Sequence, residues 1–145
     1  MKFPEIYHIG CLKTGTTSLQ KVLSEDDRLN LILYSRYFNT NKWESGKYKW
    51  FDPSRTNIES DENMVRKFRG MTGLTTVLER IKQVRPDAKI VLTIREQRSM
   101  LISMYKHHIR QTHDSHTPDR FIESEAGSSF VQTLFYAEIY EQINR

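Results

Sequence analysis

Short apolar segments alternate with amphipathic ones along the chain, a pattern typical of a protein that contains both strands and helices. Residues 5–10 predict a strand, and KIVLTI at residues 89–94 predicts a buried one, because it is short, β-branched and apolar on both faces. The run 29–34 fits either a strand or a short buried segment. Amphipathic periodicity predicts helices at residues 16–24, 74–84, 97–110, 118–124 and 128–143. This alternation of strands and helices predicts an α/β fold, with helices flanking a parallel sheet.

The segments between these elements are mostly polar. Residues 39–57 are rich in Asn, Lys, Ser, Gly and aromatic residues and predict an irregular, exposed excursion. Residues 64–68 form a short apolar stretch, and a polar loop is predicted at 111–118. No internal repeat or low-complexity tract interrupts the pattern.

Length and charge limit the possible classes of protein. A chain of 145 residues has room for one hydrophobic core, so we expect a single domain over residues 1–145. Its net charge of +4 suits a phosphorylated small ligand and is well short of the basic surface of a nucleic-acid-binding protein. No apolar run approaches the roughly 18 residues needed to cross a bilayer, and from the first residues we expect no signal peptide. Cys11 is the only cysteine, which excludes an internal disulfide or a zinc site with several thiolates. We therefore expect a cytoplasmic protein.

The segment GCLKTGTTS at residues 10–18 follows a predicted strand and opens a predicted helix. Backbone N–H groups at a helix N-terminus converge on anions, and the helix dipole favours negative charge there. Gly15 allows the main chain to approach an anion closely, Lys13 supplies a cation, and the hydroxyls of Thr16 and Thr17 add donors. The segment therefore predicts an anion-binding loop.

Two other interpretations of this loop remain open. Gly10 and Gly15 have the spacing of the Walker A loop of ATP-binding proteins, but Thr16 stands where that loop requires lysine. A strand-to-helix turn with a threonine cap needs no ligand at all.

A second candidate motif follows the KIVLTI strand. Arg95 lies at the carboxyl end of this strand, where open α/β sheets bind their ligands, and Ser103 follows eight residues later in the next helix. A guanidinium and a hydroxyl so placed could hold one phosphate from two sides. The alternative is an Arg95 that forms a surface ion pair with Glu96 or Asp87, and a serine that faces solvent.

Together the two motifs resemble those of sulfotransferases that use 3'-phosphoadenylyl sulfate (PAPS). The loop Lys13-Thr-Gly-Thr-Thr-Ser is similar to the family's 5'-phosphosulfate loop, and Arg95 with Ser103 is similar to its 3'-phosphate motif. The resemblance covers residues 5–143 and looks most like bacterial members that act on carbohydrates. One departure is Leu12, where the family usually has proline.

The resemblance implies a P-loop-like sulfotransferase fold and a set of site residues. PAPS would be bound by Lys13, Thr14, Gly15, Thr16, Thr17, Arg95 and Ser103. It also implies that Lys13 stabilises the departing adenosine 3',5'-bisphosphate (PAP) and that no metal is needed. Glu62, in a Ser-Asp-Glu-Asn stretch similar to that of carbohydrate-acting members, would take the acceptor proton. The alternative for this stretch is a helix start, at which Ser60 or Asp61 is the N-cap and Glu62 merely favours the helix dipole.

Histidine and aromatic side chains offer further candidates. His107 and His108 are alternative bases, and with His113 and His116 they suggest a metal cluster, although adjacent histidines on a helix point to different faces. We expect these histidines to be solvated or packed. The aromatic residues could line an acceptor groove or pin a long loop to the core, and the sequence favours neither: Trp43, Tyr48, Trp50 and Phe51.

Members of the resembled family are usually longer than this chain. We therefore expect a domain that is incomplete at its C-terminus, in which an exposed sheet edge would favour a homodimer. Two other functions remain open: a P-loop kinase that uses ATP, and a catalytically inactive nucleotide-binding fragment.

Overall fold

The computed structural model describes residues 2–38, 40, 48–65, 72–113, 116–124, 127–128, 131 and 135–144. Its strands are β1 (Ile6–His8), β2 (Leu29–Leu33), β3 (Thr56–Ser60) and β4 (Lys89–Val91). Its helices are α1 (Thr16–Ser24), α2 (Leu74–Val84), α3 (Gln97–Thr112), α4 (Pro118–Glu123) and α5 (Tyr136–Ile143). Within these ranges, no helix combines the length and the apolar content that crossing a membrane requires.

The four strands form one parallel sheet in the order β2-β3-β1-β4. β1 lies between β3 and β4, so that Tyr7 is opposite Glu59 on one side and Ile90 on the other. Parallel strands present their carboxyl ends at the same edge, and the segments after β1, β3 and β4 therefore meet there. The predicted α/β fold with a parallel sheet is confirmed.

Among the described residues, a hydrophobic cluster joins the sheet to the helices. It contains Tyr7 and Ile9 from the β1 region, Ile32, the α2 residues Val77 and Ile81, the α3 residues Met100 and Met104, Phe121 from α4 and Ile139 from α5. α1 packs beside β2, and α2 packs against α5. Burial of the apolar stripe of each helix fixes the positions of the loops at the carboxyl edge.

An aromatic cluster ties the segment before β3 to the core. Tyr48 is 8% exposed and packs against Phe3, Tyr37 and Phe38 with ring centroids 5.1–6.4 Å apart. Trp50 lies edge-on to Tyr48 at 5.4 Å and is half exposed. Tyr48 therefore pins this segment to the core, and the prediction of an exposed excursion is wrong at this residue. Trp43 lies outside the described residues.

The structure differs from the predicted elements at three places. Apolar periodicity does not predict β3, since the residues of this strand are mostly polar. Within KIVLTI, only Lys89–Val91 forms a regular strand. Val91 and Ile94 are 42% and 58% exposed, because β4 is an edge strand. The predicted helix at 128–143 does not run through Phe135, whose backbone is non-helical, and α5 begins at Tyr136.

Candidate active site

The loop after β1 is shaped by two left-handed residues. Lys13 has φ 64° and Gly15 has φ 88°, which is costly for lysine and easy for glycine. Gly15 is the N-cap of α1 and contributes no side-chain cap, and no side chain caps this helix. The alternative interpretation, a turn capped by a threonine side chain, is therefore wrong. The first N–H groups of α1 are left to face the loop, as an anion-binding site requires.

Arg95 lies beside this loop. Its Nη1 donates a hydrogen bond of 3.0 Å to the carbonyl oxygen of Lys13. The Glu96 carboxylate caps α3 by accepting hydrogen bonds from two of its backbone N–H groups, and Asp87 forms an ion pair of 3.0 Å with Arg85. The alternative ion pair of Arg95 with Glu96 or Asp87 is therefore not the arrangement seen.

A cavity of about 230 Å³ lies where the loop, the β3 end and α3 meet. It is lined by Lys13, Gly15, Thr16, Thr17, Glu62, Arg95 and Ser103. The structure thus brings together all the predicted site residues except Thr14. The Thr14 hydroxyl points away from this cavity, donating to the Cys11 carbonyl oxygen at 2.6 Å.

Glu62 enters the cavity from the turn that follows β3. Thr16 Oγ1 donates a 2.7 Å hydrogen bond to Glu62 Oε2, which connects this carboxylate to the first residue of α1. No helix begins at residues 61–65, and the helix-start alternative for this stretch is therefore wrong. Asp61, just before it, is fully buried, and burial raises the pKa of its carboxyl. Glu62 is thus the carboxylate of this pair that lines the cavity.

His107 lies one helical turn after Ser103, on the same face of α3. Burial lowers the pKa of His107, and the positive charge of nearby Lys13 lowers it further. His108 instead packs against Phe121, with ring centroids 5.0 Å apart. Among the residues that the structure describes, no group of three or more His, Cys, Asp or Glu side chains is placed to hold a metal ion.

Sequence reasoning missed a layer of buried polar residues beneath the cavity. His8 is 1% exposed and lies between Ser60 and Thr93, with hydrogen bonds of 2.7 and 3.1 Å. A second buried group is Glu59, which accepts hydrogen bonds from Ser35 and from Tyr48, the latter at 2.6 Å. Burial raises the pKa of Glu59 to about 7. The sequence does carry one signal for the group around His8, because His8, Ser60 and Thr93 are polar residues at or just beyond the ends of three strands.

A larger cavity of about 580 Å³ lies between α2, β4 and α5. It shares no lining residue with the smaller one, and its walls include Leu78, Ile81, Ile90 and Ile143. Its hydroxyl, carboxylate and ammonium groups, from Thr75, Glu79 and Lys82, all lie on α2 and not at the carboxyl ends of strands, where open α/β sheets bind their ligands. The smaller, polar cavity is therefore the candidate active site.

Fold and site together define an α/β protein with a candidate anion-binding loop at the carboxyl edge of a parallel sheet. A family model for the sulfotransferase domain matches residues 5–142, and the chain belongs to this family. Among solved structures, a sulfotransferase from Alicyclobacillus acidocaldarius matches with a TM-score of 0.76 and 14% sequence identity. The match covers 99% of this chain and 68% of that one, and at this identity it shows a shared fold. A search of curated proteins found no match.

Proposed function

We propose that this sulfotransferase-family chain binds PAPS and transfers its sulfuryl group to a hydroxyl or amine of an acceptor, for which a carbohydrate is the class we favour. The observation that carries the proposal is the cavity in which the Lys13 loop and the Arg95–Ser103 pair meet with Glu62. Family membership supports sulfuryl transfer, and the geometry of the cavity supports the choice of donor.

The 5'-phosphosulfate would lie at the N-terminus of α1. Its oxygens would accept hydrogen bonds from backbone N–H groups and from the hydroxyls of Thr16 and Thr17, and Lys13 would neutralise part of its charge. Arg95 and Ser103 would bind the 3'-phosphate on the neighbouring side of the cavity. Arg95 has five N–H donors, so it can bind a phosphate while it keeps its bond to the Lys13 carbonyl.

The transfer would be a direct displacement at sulfur. The acceptor oxygen or nitrogen attacks sulfur, the bond between sulfur and the bridging oxygen breaks, and PAP leaves with that oxygen. Lys13 would stabilise the negative charge that develops on the bridging oxygen. Glu62, held by Thr16, would take the proton that the acceptor loses. No covalent intermediate on the protein is needed.

Transfer of radiolabelled sulfate from PAPS to a panel of glycans, alcohols and amines tests this proposal. We expect label in a carbohydrate product, and we expect Lys13→Ala to reduce the rate by about two orders of magnitude or more. Glu79→Ala, which changes an exposed residue that does not line the cavity, serves as the control. Transfer of labelled phosphate from ATP, together with no transfer of labelled sulfate from PAPS, would instead indicate a kinase.

A further inference from the structure

A continuous chain of buried and partly buried hydrogen bonds runs beneath the predicted anion-binding loop. It connects Thr14 to Thr93 at 2.8 Å, Thr93 to His8 at 3.1 Å, His8 to Ser60 at 2.7 Å, and Ser60 to Gln20 at 2.9 Å. These residues come from the loop, the segment after β4, β1, β3 and α1. The chain therefore joins the loop to three neighbouring parts of the sheet edge and to the helix that the loop opens.

The donor and the acceptor of each hydrogen bond can be assigned by starting from Thr14, at the loop. Thr14 Oγ1 lies 2.6 Å from the Cys11 carbonyl oxygen, which can only accept, so the single hydroxyl hydrogen of Thr14 is donated there. Thr93 must then donate its own hydrogen to Thr14. Thr93 Oγ1 consequently accepts from His8, and this assigns the hydrogen of the His8 ring to Nε2.

The other side of the His8 ring agrees with this assignment. Nδ1 accepts from the Ser60 hydroxyl, and Ser60 Oγ accepts in turn from Gln20 Nε2. Gln20 Oε1 is left to accept from the Tyr34 hydroxyl at 3.4 Å. The hydroxyl hydrogens of Thr14, Thr93 and Ser60 and the ring hydrogen of His8 each have one acceptor if His8 is neutral. Burial lowers the pKa of His8, which favours the neutral ring.

Gly10 is the residue over which this chain passes. A Cβ added to Gly10 would overlap Thr93 Oγ1 and lie 2.7 Å from His8 Nε2. Glycine is thus required here by the bond between His8 and Thr93, and this reason is separate from the backbone conformation of the loop. Because these hydrogen bonds leave no space for a methyl group at Gly10, tight packing fixes the positions of the side chains that form them.

We propose that His8 is a positioning residue for the anion-binding loop: the N–H at its Nε2 orients Thr93, and Thr93 fixes Thr14 between the two left-handed residues Lys13 and Gly15. The inference rests on the proposed function, since it assigns a role in the same site. His8 does not line the cavity and does not touch the donor. It acts by holding ready, before any ligand arrives, the N–H groups and hydroxyls that would bind the phosphosulfate.

Two substitutions, each of which imitates one nitrogen of the imidazole, separate the two sides of the ring. In His8→Gln the side-chain amide N–H can still donate to Thr93, while the acceptor for Ser60 is lost. In His8→Asn the carbonyl oxygen can still accept from Ser60, while the donor for Thr93 is lost. Both replace a buried ring with a smaller polar group, so we expect similar losses in the free energy of unfolding. They differ in the one hydrogen bond that leads to the loop.

Titration with PAP and amide hydrogen exchange measure how each substitution affects the loop. We expect His8→Asn to weaken PAP binding about tenfold or more and to speed exchange at residues 14–17, while His8→Gln stays within about threefold of the wild type in both. Nitrogen-15 NMR of the free wild-type protein should show the Nε2–H tautomer of His8. Equal effects of the two substitutions on exchange, or the Nδ1–H tautomer, would overturn the inference.

Exchange and tautomer are measured without any ligand, so they also separate the two proposals. If the wild type shows the Nε2–H tautomer and the two variants differ in exchange, but PAP does not bind, then the proposed function fails and the positioning role of His8 stands. If PAP binds the wild type and both variants equally, the positioning role fails and the proposed function stands.

Discussion

Arg95 Nη1 donates a hydrogen bond to the carbonyl oxygen of Lys13 across 82 positions of sequence. Lys13 has a left-handed backbone, and this bond stabilises a conformation that costs energy in a non-glycine residue. The residue proposed to bind the 3'-phosphate therefore also holds the loop proposed to bind the 5'-phosphosulfate. The two motifs form one physical unit at the ends of the adjacent strands β1 and β4.

Replacement of Arg95 should affect both ends of the bound nucleotide. We expect Arg95→Ala to weaken PAP binding by about 10- to 100-fold, the range for a lost charge-assisted hydrogen bond. Arg95→Lys should recover only part of this loss, because a single ammonium group cannot reproduce the geometry of a guanidinium that serves a carbonyl and a phosphate. Fluorescence or calorimetric titration with PAP measures the effect. Arg98→Ala, an exposed change on α3 that does not line the cavity, should bind like the wild type, and an equal loss there would argue for a nonspecific charge effect.

Replacement of Glu62 separates catalysis from binding. Glu62→Gln keeps the shape and an acceptor for Thr16 but cannot take a proton, so we expect kcat to fall by about 10²- to 10⁴-fold. PAP affinity should change by no more than a few-fold. Steady-state sulfate transfer and PAP titration provide the two numbers. An unchanged kcat would remove Glu62 as the base and turn attention to His107, which lies on the same side of the protein as Lys13.

The Thr16 hydroxyl has a predicted role in holding Glu62. Thr16→Val keeps the volume and removes the hydrogen bond, so we expect kcat to fall by about tenfold, which corresponds to the loss of one partly buried hydrogen bond. Thr16→Ser retains the hydroxyl and should keep most of the activity. Rates for the two variants, measured at saturating PAPS, test this role. Equal losses in both would point to packing of the Thr16 methyl group instead.

The buried carboxyl of Glu59 predicts a dependence of stability on pH. Burial raises the pKa of Glu59 from its ordinary 4.5 to about 7, so the folded state binds more protons than the unfolded state between these values. The contribution of Glu59 to stability is therefore present at acidic pH and is lost as the pH rises through about 7. The slope is at most about 1.4 kcal/mol per pH unit.

Glu59→Gln removes this contribution, while a buried group such as His8, whose pKa is lowered by burial, titrates in both proteins. Urea unfolding at several pH values between about 5 and 8 gives the free energy of unfolding of each. The wild type should lose stability relative to Glu59→Gln as the pH rises. A difference that is constant with pH would mean that Glu59 ionises normally inside the protein.

Sequence pattern predicted the fold class and drew attention to Lys13 and Arg95, whereas Glu62 was predicted only through the resemblance to sulfotransferases. β1, α1 and α2 carry clear apolar periodicity, and the bounds predicted for α1 and α2 are those observed. Lys13 and Arg95 were found because each lies in the segment after a predicted strand, at the edge where a parallel sheet binds its ligands. Local pattern and a general rule of topology therefore placed both motifs at the same edge.

β3 could not be predicted in the same way, because its side chains are polar and their partners are remote in sequence. Asn57 bonds to Asn30, Glu59 to Ser35 and Tyr48, and Ser60 to His8 and Gln20. Each of these buried polar groups is satisfied only once the fold has formed. Apolar periodicity cannot reveal such a strand, nor the hydrogen-bonded layer beneath the loop.

Selective nucleotide binding tests the central claim most directly. Calorimetric titration of the wild type with PAP, with adenosine 5'-monophosphate and with Mg-ATP compares ligands that differ in the 3'-phosphate and in the number of phosphates. We expect PAP to bind at least about tenfold more tightly than the monophosphate, and this preference to disappear in Arg95→Ala. Tight binding of Mg-ATP with no preference for PAP would contradict the account.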